Sequence, residues 1–539
     1  MLKMICASLL FFLPCHSSAL LEKMTLEEKV GQLLFVCFKG EQVNEDAVTL
    51  VQKLHVGGII YYNWANGLNS PEQVTALSQE LQTLANNNRL SIPLAICADQ
   101  EGGPVTRLKN GCTLFPGNLA LGMTGNSELA EEAAYIAGQE LLCCGVTLNL
   151  APVVDVNSNP RNPIIGIRSF SEDPNVVTTF AKSALAGYKR AGLASCIKHF
   201  PGHGDVESDS HHALPVIHKT KEELNRIELL PFTQLSSETD AVMTAHILLP
   251  KLDPLKCATL SRPILDLLRK EIGFDGVIIA DSLVMKGVWQ EGVLLEDLAI
   301  DAFNAGCDVL LFGGRELIGT STQTEITVAD VEKIQKALIL AVQRGSISEK
   351  RLNSSVSRIL QLKNKNKTEL HLKPGSLQGE ELAEKIARLA CTVTLHHPIK
   401  KEIKETHVTL IAPQLLKETI STSSFAHLGK SQEYFFFTGL NPNEQESREI
   451  KALSEQADLL IFCAYNDETS PAQQTLIQEL SKKNKNLIVL SLRNPSNAAK
   501  YEGAASLINT FSPTLPSIEA SYKVILNGGA LINPSSPEN

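Results

Sequence analysis

From Val30 onward, short apolar runs rich in β-branched and aromatic residues alternate with longer amphipathic stretches. The apolar runs begin at Val30 (VGQLLFVCF), Val56 (VGGIIYY), Leu94 (LAICADQEGG), Gly145 (GVTLNLAPVVDV), Leu193 (LASCIKHFPGHG), Ala241 (AVMTAHI), Phe274 (FDGVIIADSL) and Gly306 (GCDVLLFGG). Between them, apolar residues recur at helical spacing with charges on the opposite face, which predicts helices over 71–84, 127–142, 175–191, 221–235, 261–272 and 295–305. A last helix is expected over 348–362. Strands that are apolar on both faces and joined by helical crossovers form a parallel sheet. Eight such units predict an α/β fold closed as a (β/α)8 TIM-type barrel over 20–362.

The pattern then breaks. KNKNK from Lys363 and Pro374-Gly375-Ser376 mark a polar linker over 363–378. Apolar runs restart at Thr406 (THVTLIA), Glu433 (EYFFF), Ala457 (ADLLIFCAY) and Asn486 (NLIVLSL), with a helix over 471–480, and predict a smaller three-layer α/β sandwich domain over 379–530. The tail 531–539, ending PSSPEN, is expected to be disordered. At the other end, Lys3 precedes an apolar run from Met4 to Pro14 and the small residues Ser17-Ser18-Ala19. That order predicts a signal peptide over 1–19 and export to the periplasm or the exterior. The run is too short to span a bilayer, and no later run reaches 18 uninterrupted apolar residues, so no membrane span is expected.

Composition narrows the partners. Hydrophobic residues make up 43% of the chain and charged residues 20%, enough for a large core. The net charge of −10 is spread along the sequence, which excludes nucleic acid as a partner. Twelve cysteines form no C-x-x-C pair or regular spacing, so neither a zinc site nor a disulfide framework is signalled. Cys97, Cys196 and Cys463 lie in apolar runs and read as small core hydrophobes. No cofactor motif is present.

The C-terminal ends of barrel strands form the active face of such folds. Here those ends carry Asp99, Glu101, Arg107, Asp155, Lys198, His199, His203, His246 and Asp281. Carboxylates and basic groups converging there suit a carbohydrate, whose hydroxyls need both kinds of partner. The densest segment is KHFPGHGDVESDSHH, Lys198 to His212; five of the 13 histidines fall between His199 and His218. In Asp209-Ser210-His211 the outer side chains share one side of an extended chain, so the carboxylate can orient the imidazole. Three readings fit this cluster. The first is a metal site of His199 and His203 with Asp205 and Asp209; a Pro-Gly pair between the histidines and the Lys198 ammonium beside them oppose it. The second is a set of structural histidines. The third is a polar sugar clamp, Lys198-His199, followed by an acid/base loop carrying Asp209 and His211. Asp281, after VIIA, projects into the barrel mouth as a nucleophile must, or caps the next helix.

These residues closely resemble glycoside hydrolase family three, and within it the β-N-acetylglucosaminidases. The motifs are DQEGG from Asp99, Arg107 downstream, GIRSF from Gly166, KHFPGHGD from Lys198, DSH from Asp209 and ADSLVMKG from Ala280. Pro104, Val206 and Ala280 depart from the usual family residues without removing a catalytic group. The resemblance implies a retaining mechanism with Asp281 as nucleophile and His211, paired to Asp209, as general acid/base. It implies that Asp99, Arg107, Arg168, Lys198 and His199 bind the sugar, and that the substrates are N-acetylglucosamine-containing oligosaccharides or muropeptides. A neutral histidine base leaves phosphorolysis open beside hydrolysis. An inactive carbohydrate- or cell-wall-binding barrel is the alternative of another class. In the second domain, Asn466-Asp467 and Arg493-Asn494-Pro495 are polar runs to which no role is assigned.

Overall fold

The computed structural model describes residues 15–208, 214–288, 292–314, 326–365, 370–395 and 403–528. Asp209, His211, most of the expected signal segment and the tail 531–539 lie outside the described residues.

Eight strands form one parallel sheet: β1 Leu34–Val36, β2 Gly58–Ile60, β3 Ala95–Ala98, β4 Leu148–Asn149, β5 Ala194–Phe200, β6 Ala241–Thr244, β7 Val277–Ile279 and β8 Leu310–Phe312. Their spatial order is β8-β1-β2-β3-β4-β5-β6-β7, and a parallel bridge between Ile279 and Val309 closes β7 onto β8. Every predicted apolar run supplies one strand. All eight strands are buried throughout, because barrel interior and surrounding helices cover both faces.

Helix bounds follow local chemistry. The helix Pro71–Asn86 starts with proline in its first turn and Ser70 accepting from the Gln73 amide. The helix Pro174–Ala191 starts on Asp173 and stops at Gly192, whose φ of +81° suits a left-handed cap. The stretch 221–235 is two helices, Lys221–Arg226 and Leu230–Leu235, rather than the continuous one expected. Pro231 explains the break, since its ring would clash with the carbonyl of residue 227 in a continuous helix. The helix Cys15–Lys23 runs through the position expected for signal cleavage, and its Leu20 and Leu21 pack against the barrel core.

The second sheet has six strands: β9 Thr392–Leu395, β10 His407–Pro413, β11 Ser431–Phe437, β12 Leu459–Ala464, β13 Leu487–Ser491 and β14 Ser506–Asn509. Their order is β9-β14-β13-β12-β10-β11, with only the β9–β14 pair antiparallel. Alternate residues of β12 enter separate cores: Leu459, Ile461 and Cys463 on one face, Leu460, Phe462 and Ala464 on the other. That period of two with both faces covered makes a three-layer sandwich. β9 and β14 were not anticipated. β9 (TVTL) is a short antiparallel edge, and β14 (SLIN) lacks a long apolar run.

The join between the units is not a loose tether. The helix Leu377–Ala390, capped by Ser376, begins inside the span expected as linker and places Ala383 and Ile386 in the barrel core. Ahead of it, buried Glu140 accepts from the Gly375 amide at 2.9 Å and from the Thr113 amide and hydroxyl at 2.9 and 2.7 Å. The His371 amide donates to Gln139 Oε1 at 2.7 Å. Ala390 and Phe511 then pack with Ala120 of the barrel.

Candidate active site

A cleft of about 360 Å³ opens at the C-terminal ends of the strands, lined by Asp99, Glu101, Arg107, Arg168, Lys198, His199, His203 and Asp281 among others. Beyond β3 the chain makes a tight hairpin, and the Gln100 side chain holds it. Gln100 Oε1 accepts from the Arg107 and Leu108 amides at 2.9 and 3.0 Å, and its backbone pairs reciprocally with the Asn149 side chain. This brings Arg107 back onto Asp99, eight residues earlier.

The result is a chain of alternating charges. Arg107 Nη2 lies 3.1 Å from Asp99 Oδ2, Asp99 Oδ1 2.8 Å from Lys198 Nζ, and Lys198 Nζ 2.7 Å from Glu101 Oε1. Arg168 closes the series with a bidentate pair to Glu101, both contacts at 2.9 Å. The side chains of Lys198 and Glu101 are each 2% exposed, so neither charge could persist alone. Burial pushes the carboxyls up. Lys198 and then Arg107 outweigh it at Asp99, and Arg168 and then Lys198 hold Glu101 at about 2. Both therefore favour the ionised, accepting form at neutral pH. The Arg107 guanidinium also sits 5.2 Å above the Tyr62 ring, which stacks on Trp64.

His199 is oriented from behind. Fully buried Asp155 takes its Nδ1 at 2.7 Å, and the other Asp155 oxygen accepts the His199 and His203 amides at 3.1 and 2.7 Å. Against a carboxylate, Nδ1 carries the proton, which turns Nε2 away from Asp155. Burial raises the Asp155 carboxyl, but His199 and the hydrogen bonds keep it below the usual range. His203, edge-on to His199 with centroids 5.9 Å apart, is pushed down to about 4 by burial first and His199 next. Glycine shapes this turn and its exit: Gly202, between the histidines, has φ +123°, and a Cβ on Gly204, just after His203, would lie 1.6 Å from the Val156 carbonyl oxygen.

Asp281 follows β7 and is one of the cleft residues. Its amide donates to Thr244 Oγ1 at 3.2 Å, and its Oδ1 accepts from the Ser282 amide at 2.7 Å, so its orientation is set by its neighbours. His246 belongs to that support. Fully buried, it contacts the Ser282 carbonyl at 2.9 Å and Thr259 at 2.8 Å, and it does not line the cleft. Asp205, counted among possible metal ligands, instead pairs with Lys219 at 2.9 Å beside Glu228. Ten cysteines, Cys37 to Cys463, are free thiols, all buried except Cys143.

All five residues expected to bind sugar, together with Asp281, line this one cleft. The acid/base pair Asp209 and His211 lies outside the described residues, in the stretch between the described ends Ser208 and Leu214. Sequence reasoning gave no binding role to Glu101, the hub of the clamp, although it stands in DQEGG. It also passed over Tyr62 and Trp64, whose aromatic signal after β2 was readable, and it named Arg493 of the second domain only as part of a polar run without a role, whereas that residue lines the cleft.

Residues 25–362 match the Glycosyl hydrolase family 3 N terminal domain. Beta-hexosaminidase A of Pseudoalteromonas piscicida is 29% identical over 575 residues, covering 95% of this chain and 93% of its own. A beta-hexosaminidase of Chromobacterium violaceum is 37% identical over 263 residues, covering 48% of this chain and 71% of its own. The structure of a glycoside hydrolase family 3 beta-N-acetylglucosaminidase from Paenibacillus sp. str. FPU-7 superposes with a TM-score of 0.82 at 35% identity, covering 94% of this chain and 98% of that one.

Proposed function

The chain belongs to glycosyl hydrolase family 3 and is a glycosidase; from that premise we propose that it removes terminal β-linked N-acetylglucosamine through a covalent glycosyl-enzyme. The observation that carries this reading is a rigidly held strand-end carboxylate, Asp281, in one cleft with the buried clamp of Asp99, Lys198, Glu101 and Arg168. Such a clamp offers fixed donors and acceptors to vicinal sugar substituents, and positioning of this kind lowers the barrier by prepaid orientation.

In the first step Asp281 attacks the anomeric carbon, the glycosidic C–O bond breaks, and the leaving oxygen takes a proton from His211. In the second, His211 accepts a proton from water as the water oxygen displaces Asp281. Asp209 stabilises the imidazolium that gives up its proton in the first step and is regenerated in the second. The sugar-binding roles fall to Asp99, Arg107, Arg168, Lys198 and His199, to which the geometry adds Glu101. Peptidoglycan-derived muropeptides are the proposed natural substrates, and the N-terminal Lys3-to-Ala19 pattern supports export. Among the described residues no helix is long and apolar enough to cross a membrane.

A chromogenic β-N-acetylglucosaminide tests the reading on wild type, Asp281→Ala and His211→Ala. Turnover by wild type and loss of at least about a thousandfold in Asp281→Ala is expected. Wild type that binds but does not turn over would make the protein a carbohydrate-binding barrel. Accumulation of a sugar 1-phosphate in phosphate buffer would replace water by phosphate as the acceptor.

A further inference from the structure

Among the described residues, the second domain presents one side chain to the cleft, Arg493. It stands on the turn after β13, and that turn is fixed from several sides. Ser491 Oγ donates to the Asn494 carbonyl at 3.0 Å, and the Ser496 amide donates to Asn509 Oδ1 at 3.0 Å. Fully buried Asp467 accepts from Ser496 Oγ at 2.6 Å and from the Tyr501 hydroxyl at 2.5 Å. The guanidinium itself lies 5.4 Å from the Tyr465 ring centroid, a cation–π seat that limits its swing.

The turn rests directly on the barrel. A Cβ on Gly166, whose φ is +43°, would come within 2.7 Å of Asn494 Oδ1. Gly166 opens the short helical turn Gly166–Arg168, so the loop carrying Arg168 and the turn carrying Arg493 touch.

Charge distinguishes Arg493 from the other cations of the cleft. Arg107, Lys198 and Arg168 are each paired to Asp99 or Glu101. Among the described residues no carboxylate pairs with Arg493, and its Nε is buried without a hydrogen-bond partner. A half-buried guanidinium with donors in hand takes a carboxylate or phosphate bidentately in preference to a neutral hydroxyl.

We infer that Arg493 is a specificity-determining residue through which the second domain binds an oxyanion on the leaving-group side of the scissile bond. The inference rests on the N-acetylglucosaminidase reading, because N-acetylglucosamine carries no ionisable group and the anion must then belong to the aglycone or to a phosphate acceptor. The deep clamp serves the sugar, and Arg493, reaching in from outside the barrel, serves what leaves or replaces it.

The test compares aryl β-N-acetylglucosaminides whose aglycone carries a carboxylate or its methyl ester, using wild type, Arg493→Gln and Arg493→Lys, each with and without inorganic phosphate. Taking the acid-to-ester ratio of kcat/KM within each enzyme cancels leaving-group electronics. The ratio should fall about ten- to a hundredfold in Arg493→Gln, mainly through KM, and recover in part in Arg493→Lys. If the ratio holds but phosphate-dependent release of sugar 1-phosphate falls by the same factor, the oxyanion is phosphate and the inference stands. Equal losses on acid and ester with no phosphate effect, or no loss at all, overturn it. Wild type inactive on both glycosides would instead overturn the underlying N-acetylglucosaminidase reading.

Discussion

Glu101→Gln changes one atom at the centre of the clamp and carries a calculable cost. The native carboxylate accepts Arg168 Nε and Nη2, both at 2.9 Å, and Lys198 Nζ at 2.7 Å. Glutamine keeps one accepting oxygen, and its NH2 group must face a guanidinium or ammonium that also only donates. At least one charge-assisted bond is lost, about 1.5–3 kcal/mol, and the surplus positive charge stays buried. Removing one partner of such a site costs about 3–5 kcal/mol in total. For a barrel of this size that corresponds to a fall in Tm of about 4–7 °C. Calorimetry and urea titration at pH 7 measure it.

A pH series adds a sign. Glu101 is held at about 2 against an ordinary 4.5, so its stabilisation is complete above about 4.5 and is lost as pH falls toward 2. The gap between wild type and Glu101→Gln should close over that interval, because protonated Glu101 is then as neutral as glutamine. A loss below about 1 kcal/mol at pH 7, the scale of an exposed ion pair, would refute the reasoning.

Asp155→Asn removes the acceptor that selects the His199 tautomer, and kcat/KM should fall about ten- to a hundredfold with the fold intact by circular dichroism. His203 is held neutral down to about 4 against an ordinary 6.5, so the unfolded chain binds the extra proton between these values and stability falls as pH drops from 6.5 to 4. His203→Gln should flatten that slope in urea titrations at successive pH values. Glu140→Ala leaves the Thr113 and Gly375 amides without their acceptor and should cost about 2–4 kcal/mol, read by urea titration together with faster proteolysis near 370–376.

The barrel was legible because each of its strands is buried on both faces and spells an apolar run, and because its crossover helices carry capping residues and amphipathic spacing. The sandwich was half legible. β12 and β13 spell LLIFCA and LIVLS, whereas β9 and β14 are short and mixed, and only pairing with each other reveals them. Asp99, Lys198 and Asp281 were readable because strand ends point to the barrel mouth. Glu101 was visible but its rank was not, since the convergence of Arg168 and Lys198 on one carboxylate joins residues far apart in the chain. His246 misled for the same reason: it leaves a strand end but turns to the backbone of Ser282. Arg493 stood out only as part of a polar run, and its place in the site could not be read because that depends on how the second domain docks.

Trapping the intermediate tests the central claim most directly. Wild type incubated with a 5-fluoro-N-acetylglucosaminyl fluoride, quenched, digested and analysed by mass spectrometry should yield one peptide carrying a single fluorosugar. Fragmentation should place it on Asp281, and Asp281→Asn should yield none. Turnover of the reagent without an adduct, or an adduct on any other carboxylate, would contradict the account.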